Sequence, residues 1–373
     1  MTDILIRDQL RLSVEAASGG KQTVLYTAKG QPSYMTIVER FEAGEFGSSV
    51  GMGSVHPAFI VNDQIIDQFF VGTYNGSVQN GELVSQPYTD PQLGGNQTIL
   101  QLMDLARACG RGFHLMTNLE WVATAYRGLI DGGKNLGNTD AGGKDQKGGR
   151  GQLIAGQTEF TYTGSGGAAW THNGSPVGIH DLVGNCHEFV TGWRVLGGEL
   201  QVSINNNNAL YIGALYDDMS QWAAIHATEG YLITPQWTGS IQTNDYVATT
   251  PQSIRVSNDP SIVKDYTIGH ESWRQFTEDK FTNNGVQKVS IQAIATLRNH
   301  GLYPIDSFSP KSATVSPKNN TFAYTDNIVG ERLPVRGGLF NGNASGLLNG
   351  GAVLDRNTTA NIYTGRPCYV KPF

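Results

Sequence analysis

The chain has little cysteine. Its three residues, Cys109, Cys186 and Cys368, are spread across 373 positions. An odd, widely spaced set supplies neither a disulfide framework nor the paired spacing of a zinc site, so buried thiols are the expectation. Long apolar runs are also missing. The longest, such as residues 56–61, fall far short of the roughly 18 residues a membrane helix needs, and no membrane insertion is expected. Residues 1–7 show no basic region leading into a sustained apolar stretch, so no secretory leader is expected and folding in a cytoplasm is. Positive charge is sparse: 26 Lys and Arg against 32 Asp and Glu give a formal charge of -6, with no footprint for a phosphate backbone. Nucleic acid is therefore not an expected partner.

What the chain has in excess is glycine, 47 residues, together with much asparagine, and this implies many turns. The first fifty residues alternate apolar and polar (Leu10-Arg11-Leu12-Ser13-Val14, then Thr23-Val24-Leu25-Tyr26), which predicts a strand-rich N-terminal segment. Asn62-Asp63 between two apolar stretches predicts a hairpin within residues 59–74. Asn96 is placed to cap a helix with Ile99, Leu102, Met103 and Ala106 on one face, stopping at Gly110. Thr117-Asn118-Leu119-Glu120 is a capping box for a second helix, with Met116 and Trp121 at the staple positions. A third helix is predicted over residues 289–299, with Ile291, Ile294 and Leu297 on one face and Gly301 as its stop. The Gly-rich stretch between Gly132 and Gly167 reads as a surface connector, and no internal repeat is visible.

Motifs of catalysis are absent in the same way. His187-Glu188-Phe189-Val190-Thr191 starts like a zinc-binding helix, but Thr191 stands where the second histidine would be. His270-Glu271 and His180-Asp181 lack partners. There is no nucleophile elbow, no P-loop and no dinucleotide fingerprint in a strand-to-helix setting. No catalytic residue, metal site or cofactor is expected.

Three segments carry a resemblance. Gly178-Ile179-His180-Asp181-Leu182-Val183-Gly184-Asn185-Cys186-His187-Glu188-Phe189 resembles the G-x-x-D-x-x-G-N-x-x-E-W core of the formylglycine-generating-enzyme type of C-type-lectin fold, with Phe189 in place of Trp. The stretch from Gly112 to Trp121 looks like that family's G-x-R/H-L-x-T-x-x-E-W motif. Gly330-Glu331-Arg332-Leu333-Pro334-Val335-Arg336-Gly337-Gly338 looks like its R-G-G strand. The resemblance implies an α+β, C-type-lectin-like domain over residues 51–373, with short helices, small twisted sheets and long loops. It leaves about 200–330 as an insertion. The oxidases of this superfamily use a cysteine pair near the C-terminus, and only Cys368 lies there.

A more specific resemblance is to the variable proteins of diversity-generating retroelements, which include phage tropism determinants. There, error-prone copying of adenines turns Asn codons into codons that never encode Lys, Glu, Gln, Met or Trp. From Arg336 to Arg366 none of these five types occurs, where about five residues would be expected at typical usage. The resemblance implies a variable region at about 336–366 with substituted positions Leu339, Asn341, Gly342, Asn343, Asn349, Gly351, Val353, Leu354, Thr358, Ala360, Asn361 and Tyr363. Arg336, Gly337, Gly338, Phe340, Arg356 and Arg366 would form its fixed frame. Exposed Leu339, Val353 and Tyr363 would suit a protein-binding patch with an aromatic anchor. The expected function is binding of a protein or other cell-surface ligand by a surface displayed on a virion or cell. The alternatives are an oxidase of the formylglycine-generating type and an invariant structural surface protein.

Overall fold

The computed structural model describes residues 2–46, 54–93, 96–134, 136–146, 148–241, 245–256, 267–268, 289–303, 322–324, 330–341 and 345–373. The described chain is mixed α+β with few helices. It opens with α1 (Thr2–Ser18) rather than strands. The alternation at Leu10-Arg11-Leu12 misled because it spans too few residues to separate a period of 2 from one of 3.6. The second alternating stretch is a strand as expected: β1 (Gln22–Tyr26) pairs antiparallel with β2 (Pro32–Glu39). The predicted hairpin forms from β3 (Ile60–Val61) and β4 (Gln64–Ile65). Asn62 and Asp63 between them take φ of 48° and 61°, the left-handed pair a tight two-residue turn requires. There follow β5 (Gln68–Gly72), β6 (Gly76–Gln79) and β7 (Glu82–Ser85).

Helix α2 (Ile99–Ala108) buries the four predicted positions, Ile99, Leu102, Met103 and Ala106. Its cap lies two residues beyond the expected Asn96. Thr98 accepts from the Gln101 amide at 3.2 Å while Gln101 Oε1 accepts from the Thr98 amide at 2.9 Å, and Asn96 sits at φ 64° in the preceding turn. After β8 (Phe113–Leu115), α3 (Asn118–Ile130) carries the capping box read from the sequence. Glu120 accepts from the Thr117 amide at 2.9 Å, and Met116 and Trp121 are both fully buried. From Asn118 to Leu129 every residue of α3 except Arg127 is buried, so it is the helix around which the domain is packed.

The second half of the chain supplies β9 (His187–Phe189), β10 (Trp193–Leu196), β11 (Glu199–Ser203), β12 (Trp222–Ile225) and β13 (Leu232–Ile233). Short strands β14 (Trp237–Thr238), β15 (Val247–Ala248), β16 (Arg255–Val256) and β17 (Thr267–Ile268) come next, then α4 (Ile291–Asn299) and β18 (Phe322–Tyr324). Ser290 caps α4 and Gly301 ends it at φ 57°. Of the expected face, Leu297 is buried and Ile294 packs partly buried against the core, whereas Ile291 at the helix start is 72% exposed and Ala293 is buried in addition. The described part of the 200–330 region is built into the domain, because Ile225, Ile254, Ala293, Leu297 and Leu302 share one core cluster with Trp121 and Val122.

The chain closes with β19 (Glu331–Arg336), β20 (Gly350–Leu354), β21 (Tyr363–Gly365) and β22 (Pro367–Tyr369). Strand β22 lies between β5 and β8 in a five-stranded sheet of order β1-β2-β5-β22-β8. The N-terminal strands therefore belong to the same sheet as the last one. A second, larger sheet runs β13-β12-β11-β10-β19-β20-β18, with β9 paired to both β19 and β21. No helix among the described residues is long and apolar enough to cross a membrane.

Candidate functional site

Residues 336–366 form two loops that leave neighbouring strands. The first, 337–349, joins antiparallel β19 and β20; the second, 355–362, leads from β20 to β21. Both glycines after Arg336 adopt backbone that L side chains avoid, with φ of 85° and 90°. A Cβ at 338 would stand 2.2 Å from Ser345 Oγ, and one at 337 would stand 2.9 Å from the Leu182 carbonyl oxygen. The Arg-Gly-Gly triplet is thus dictated by the first loop's departure from its strand.

Three arginines hold the loops from below. Arg336 is fully buried and donates to Asn118 Oδ1 through Nε at 3.0 Å and Nη2 at 2.5 Å. It also donates to the Leu348 carbonyl at 3.1 Å and to the carbonyls of His300 and Gly301. Arg356 pairs with Glu331 and, at 2.6 Å, with Asp217, and donates to the Tyr216 carbonyl at 2.7 Å. Arg366 meets Glu188 through two bonds of 2.9 and 2.6 Å, with both side chains essentially solvent-free. Its remaining donors reach the carbonyls of Gly72 and His180. Guanidinium suits all three places because its fixed fork satisfies several acceptors at once. Burial pushes the Glu188 carboxyl up even though Arg366 and its bonds pull it down.

The loops are held mainly at main-chain atoms. Trp121 Nε1 donates to the Leu347 carbonyl at 2.7 Å. Ser345 Oγ accepts from the Leu339 amide and donates to its carbonyl, at 3.1 and 3.0 Å. Phe340 N donates to the Asn185 carbonyl, and His187 N donates to the Ile362 carbonyl at 3.0 Å. Gln92 Nε2 donates to the Asn361 carbonyl at 2.8 Å.

The predicted positions separate into groups. Asn341 and Asn361 are exposed, and Leu339, Thr358, Ala360 and Tyr363 are partly exposed. Three expectations of an accessible position fail. Asn349 and Leu354 are each 7% exposed, and Gly351 is buried where β20 pairs with Val335. Leu354 packs in an apolar cluster with Leu333 and Val335. These three sit in or against a central strand, so their surroundings are protein rather than solvent. Gly342, Asn343 and the Val353 side chain lie outside the described residues. Tyr363 leans on the core, its ring 5.9 Å from that of His187 and 5.4 Å from that of Phe189. In the frame, Phe340 is 7% exposed and meets Phe160 edge to face at 4.7 Å.

No sequence signal pointed to Ser345 or Gln92. One hydroxyl and one amide, the latter 269 residues from its partner, follow no local pattern. Nor does the Gly-rich stretch behave as a plain connector, since Ile154 and Phe160 join Cys186 and Phe340 in a separate apolar cluster.

Among the described residues one group, His114, Glu120 and Cys368, brings potential metal ligands within 4.8 Å of one another. The Glu120 carboxylate there already accepts from the Thr117 amide, from His114 Nε2 at 2.9 Å and from Asn206 Nδ2 at 3.0 Å. Burial alone would raise it, but the His114 ring and these bonds hold it below its ordinary value. A carboxylate so occupied serves the core. All three cysteines are free and buried. Burial pushes the Cys109 thiol up to about 12 and those of Cys186 and Cys368 well above the ordinary range, which is the reverse of a reactive thiol. No protein-family model and no curated protein matches the chain.

Proposed function

We propose that the chain is a ligand-binding protein of C-type-lectin-like fold, of the formylglycine-generating-enzyme subtype, whose loops 337–349 and 355–362 display a surface diversified by a retroelement. The observation that carries this reading is the mode of attachment. Trp121, Ser345, Gln92 and the main chain of Asn185 and His187 hold Leu339, Phe340, Leu347, Asn361 and Ile362 through backbone atoms. Such contacts persist whatever side chain the held residue carries, so exposed positions can change without disturbing the fold. Among the described positions the varied set is then Leu339, Asn341, Thr358, Ala360, Asn361 and Tyr363, with Asn349, Gly351 and Leu354 removed from it, and Gly342, Asn343 and Val353 stay in it from the sequence reading.

The fold assignment draws support from the way its three motifs meet. Asn118 of the second motif binds Arg336 of the third, Gly184 N of the first donates to the Gly337 carbonyl at 3.0 Å, and Glu188 binds Arg366. Binding rather than catalysis, without cofactor or metal, fits the absence of a thiol suited to oxidase chemistry. Display on a virion or cell surface, toward a protein or other surface ligand, belongs to the same proposal.

The neighbouring DNA tests it. The expected result is a near-copy of the segment encoding 336–366, carrying adenines where the two copies differ, beside a reverse-transcriptase gene. Sister isolates should then differ mainly at these positions. Sister genes whose differences are scattered along the chain, with no second copy, would overturn the reading.

A further inference from the structure

The stretch between Gly151 and Thr163 is a narrow two-stranded ribbon. Tyr162 N donates to the Gln152 carbonyl and Ile154 N to the Phe160 carbonyl, both at 2.9 Å, with Leu153 opposite Thr161. The ribbon is locked to the first loop by the Phe160–Phe340 contact and to the second by an amide relay. Gln157 Nε2 donates to Gln92 Oε1 at 2.9 Å, and Gln92 in turn holds the Asn361 carbonyl. Tyr162, Leu339 and Ile362 pack against the small Ile154–Phe160–Cys186–Phe340 cluster, and each remains partly exposed.

We propose that this ribbon is a constant half of the binding surface, that Tyr162 is its permanent aromatic anchor, and that the occupant is a folded protein presenting an uncharged face. The inference rests on the diversified-binder reading above. Tyr162 lies outside 336–366, so every variant would keep it. A surface on which every contact changes must regain all of its affinity with each new sequence, whereas a fixed phenol contributes a large contact area at little rotamer cost. The Tyr162 hydroxyl accepts from the Ala155 amide at 3.4 Å, and among the described residues it donates to no acceptor, which leaves its proton for a ligand. The side chains of Tyr162, Gln92, Gln157, Leu339, Asn361 and Ile362 carry no formal charge, and the charged residue within the ribbon, exposed Glu159, is negative. Phosphate groups and anionic membranes find no attraction there. Apolar and aromatic groups bordered by amides have the composition of a protein–protein contact.

The test displays the full chain on phage with positions 339, 341, 358, 360 and 361 randomised through codons ending in pyrimidine. Selection is run in parallel on immobilised neutral streptavidin, on dextran and on phosphatidylglycerol vesicles. Clones should be recovered on streptavidin, and Tyr162→Ala introduced into each should weaken its Kd at least tenfold in most, with Tm unchanged within about 2 °C. Should the alanine variant unfold, Tyr162→Leu, which retains apolar volume, replaces it and should show the same loss, while Tyr162→Phe loses less. Streptavidin clones whose Kd stays within twofold in either variant overturn the anchor and leave the diversified-binder reading standing. Recovery on dextran or vesicles alone overturns the protein occupant. A library that yields no binder on any surface overturns the underlying reading, and the anchor with it.

Discussion

The indole N–H of Trp121, on a helix at the centre of the domain, donates to the carbonyl oxygen of Leu347, on a loop 226 residues later, at 2.7 Å. The bond ties the capping-box helix directly to the loop that follows the Arg-Gly-Gly strand. Trp121→Phe keeps an aromatic ring in the cavity but leaves the Leu347 carbonyl without this donor. The expected cost is about 1–3 kcal/mol, from the lost buried hydrogen bond and the lost ring volume. Chemical denaturation should show it, with a midpoint shift at constant m value.

The buried Arg366–Glu188 pair makes a sharper forecast. Arg366→Met leaves the Glu188 carboxylate, already pushed up by burial, without its counter-charge. Destabilisation of about 3–5 kcal/mol is expected. Adding Glu188→Gln to that variant should recover part of the loss, since a neutral amide costs less to bury than an unpaired charge. A double-mutant cycle measured by urea unfolding checks both, and additive effects of the two substitutions would contradict the pairing.

Asp181 gives the pH dependence. Burial raises its carboxyl from 3.8 to about 6 despite the bond it accepts from the Gly164 amide at 2.7 Å. Its folded-state value exceeds the unfolded one, so its contribution to stability is fully present below about pH 4 and is lost as pH rises through 6. Asp181→Asn keeps an acceptor for Gly164 and suits the φ of 60° at this position. The asparagine variant should be more stable than the parent by about 1–3 kcal/mol at pH 8, and the gain should vanish toward pH 4. Thermal melts of the two proteins across that range decide it.

The loop positions should respond in two classes. Asn341→Tyr, Asn361→Tyr and Thr358→Ser alter exposed or partly exposed side chains and should each shift stability by no more than about 0.5 kcal/mol. Leu354→Ala removes a nearly buried side chain from the cluster with Leu333 and Val335 and should cost about 2–5 kcal/mol. Gly338→Ala should fail more severely than any exposed change, because φ and the 2.2 Å approach to Ser345 both oppose a Cβ. A uniform response across the two classes, read by proteolysis of the purified variants, would contradict the separation of frame from surface.

Features set by near neighbours were legible in the sequence. The Thr117–Glu120 capping box, the buried face of α2 and the Asn62-Asp63 turn depend on residues within one or two turns, and each is found. Arg336 and Arg366 stood out as frame residues, but Glu188 as the partner of Arg366 did not, since 178 residues separate them. The accessible set was overextended for a related reason. Codon alphabet is blind to pairing, and nothing local says that Gly351 and Leu354 belong to a strand paired with β19. The helix at residues 2–18 was missed because five alternating residues satisfy either period.

Ser345 grips Leu339 by its amide and carbonyl alone, and Gln92 grips Asn361 by its carbonyl alone. At exposed Asn361 folding is therefore deaf to what is written, whereas at Leu339 the grip is indifferent to the side chain but the neighbouring Phe160–Phe340 cluster still favours an apolar one. Under the proposed diversification, a copying error at 361 produces neither an insoluble chain nor one removed by proteolysis, and every spelling there reaches the surface in similar amounts. Selection then compares the variants by what they bind, undistorted by differences in yield.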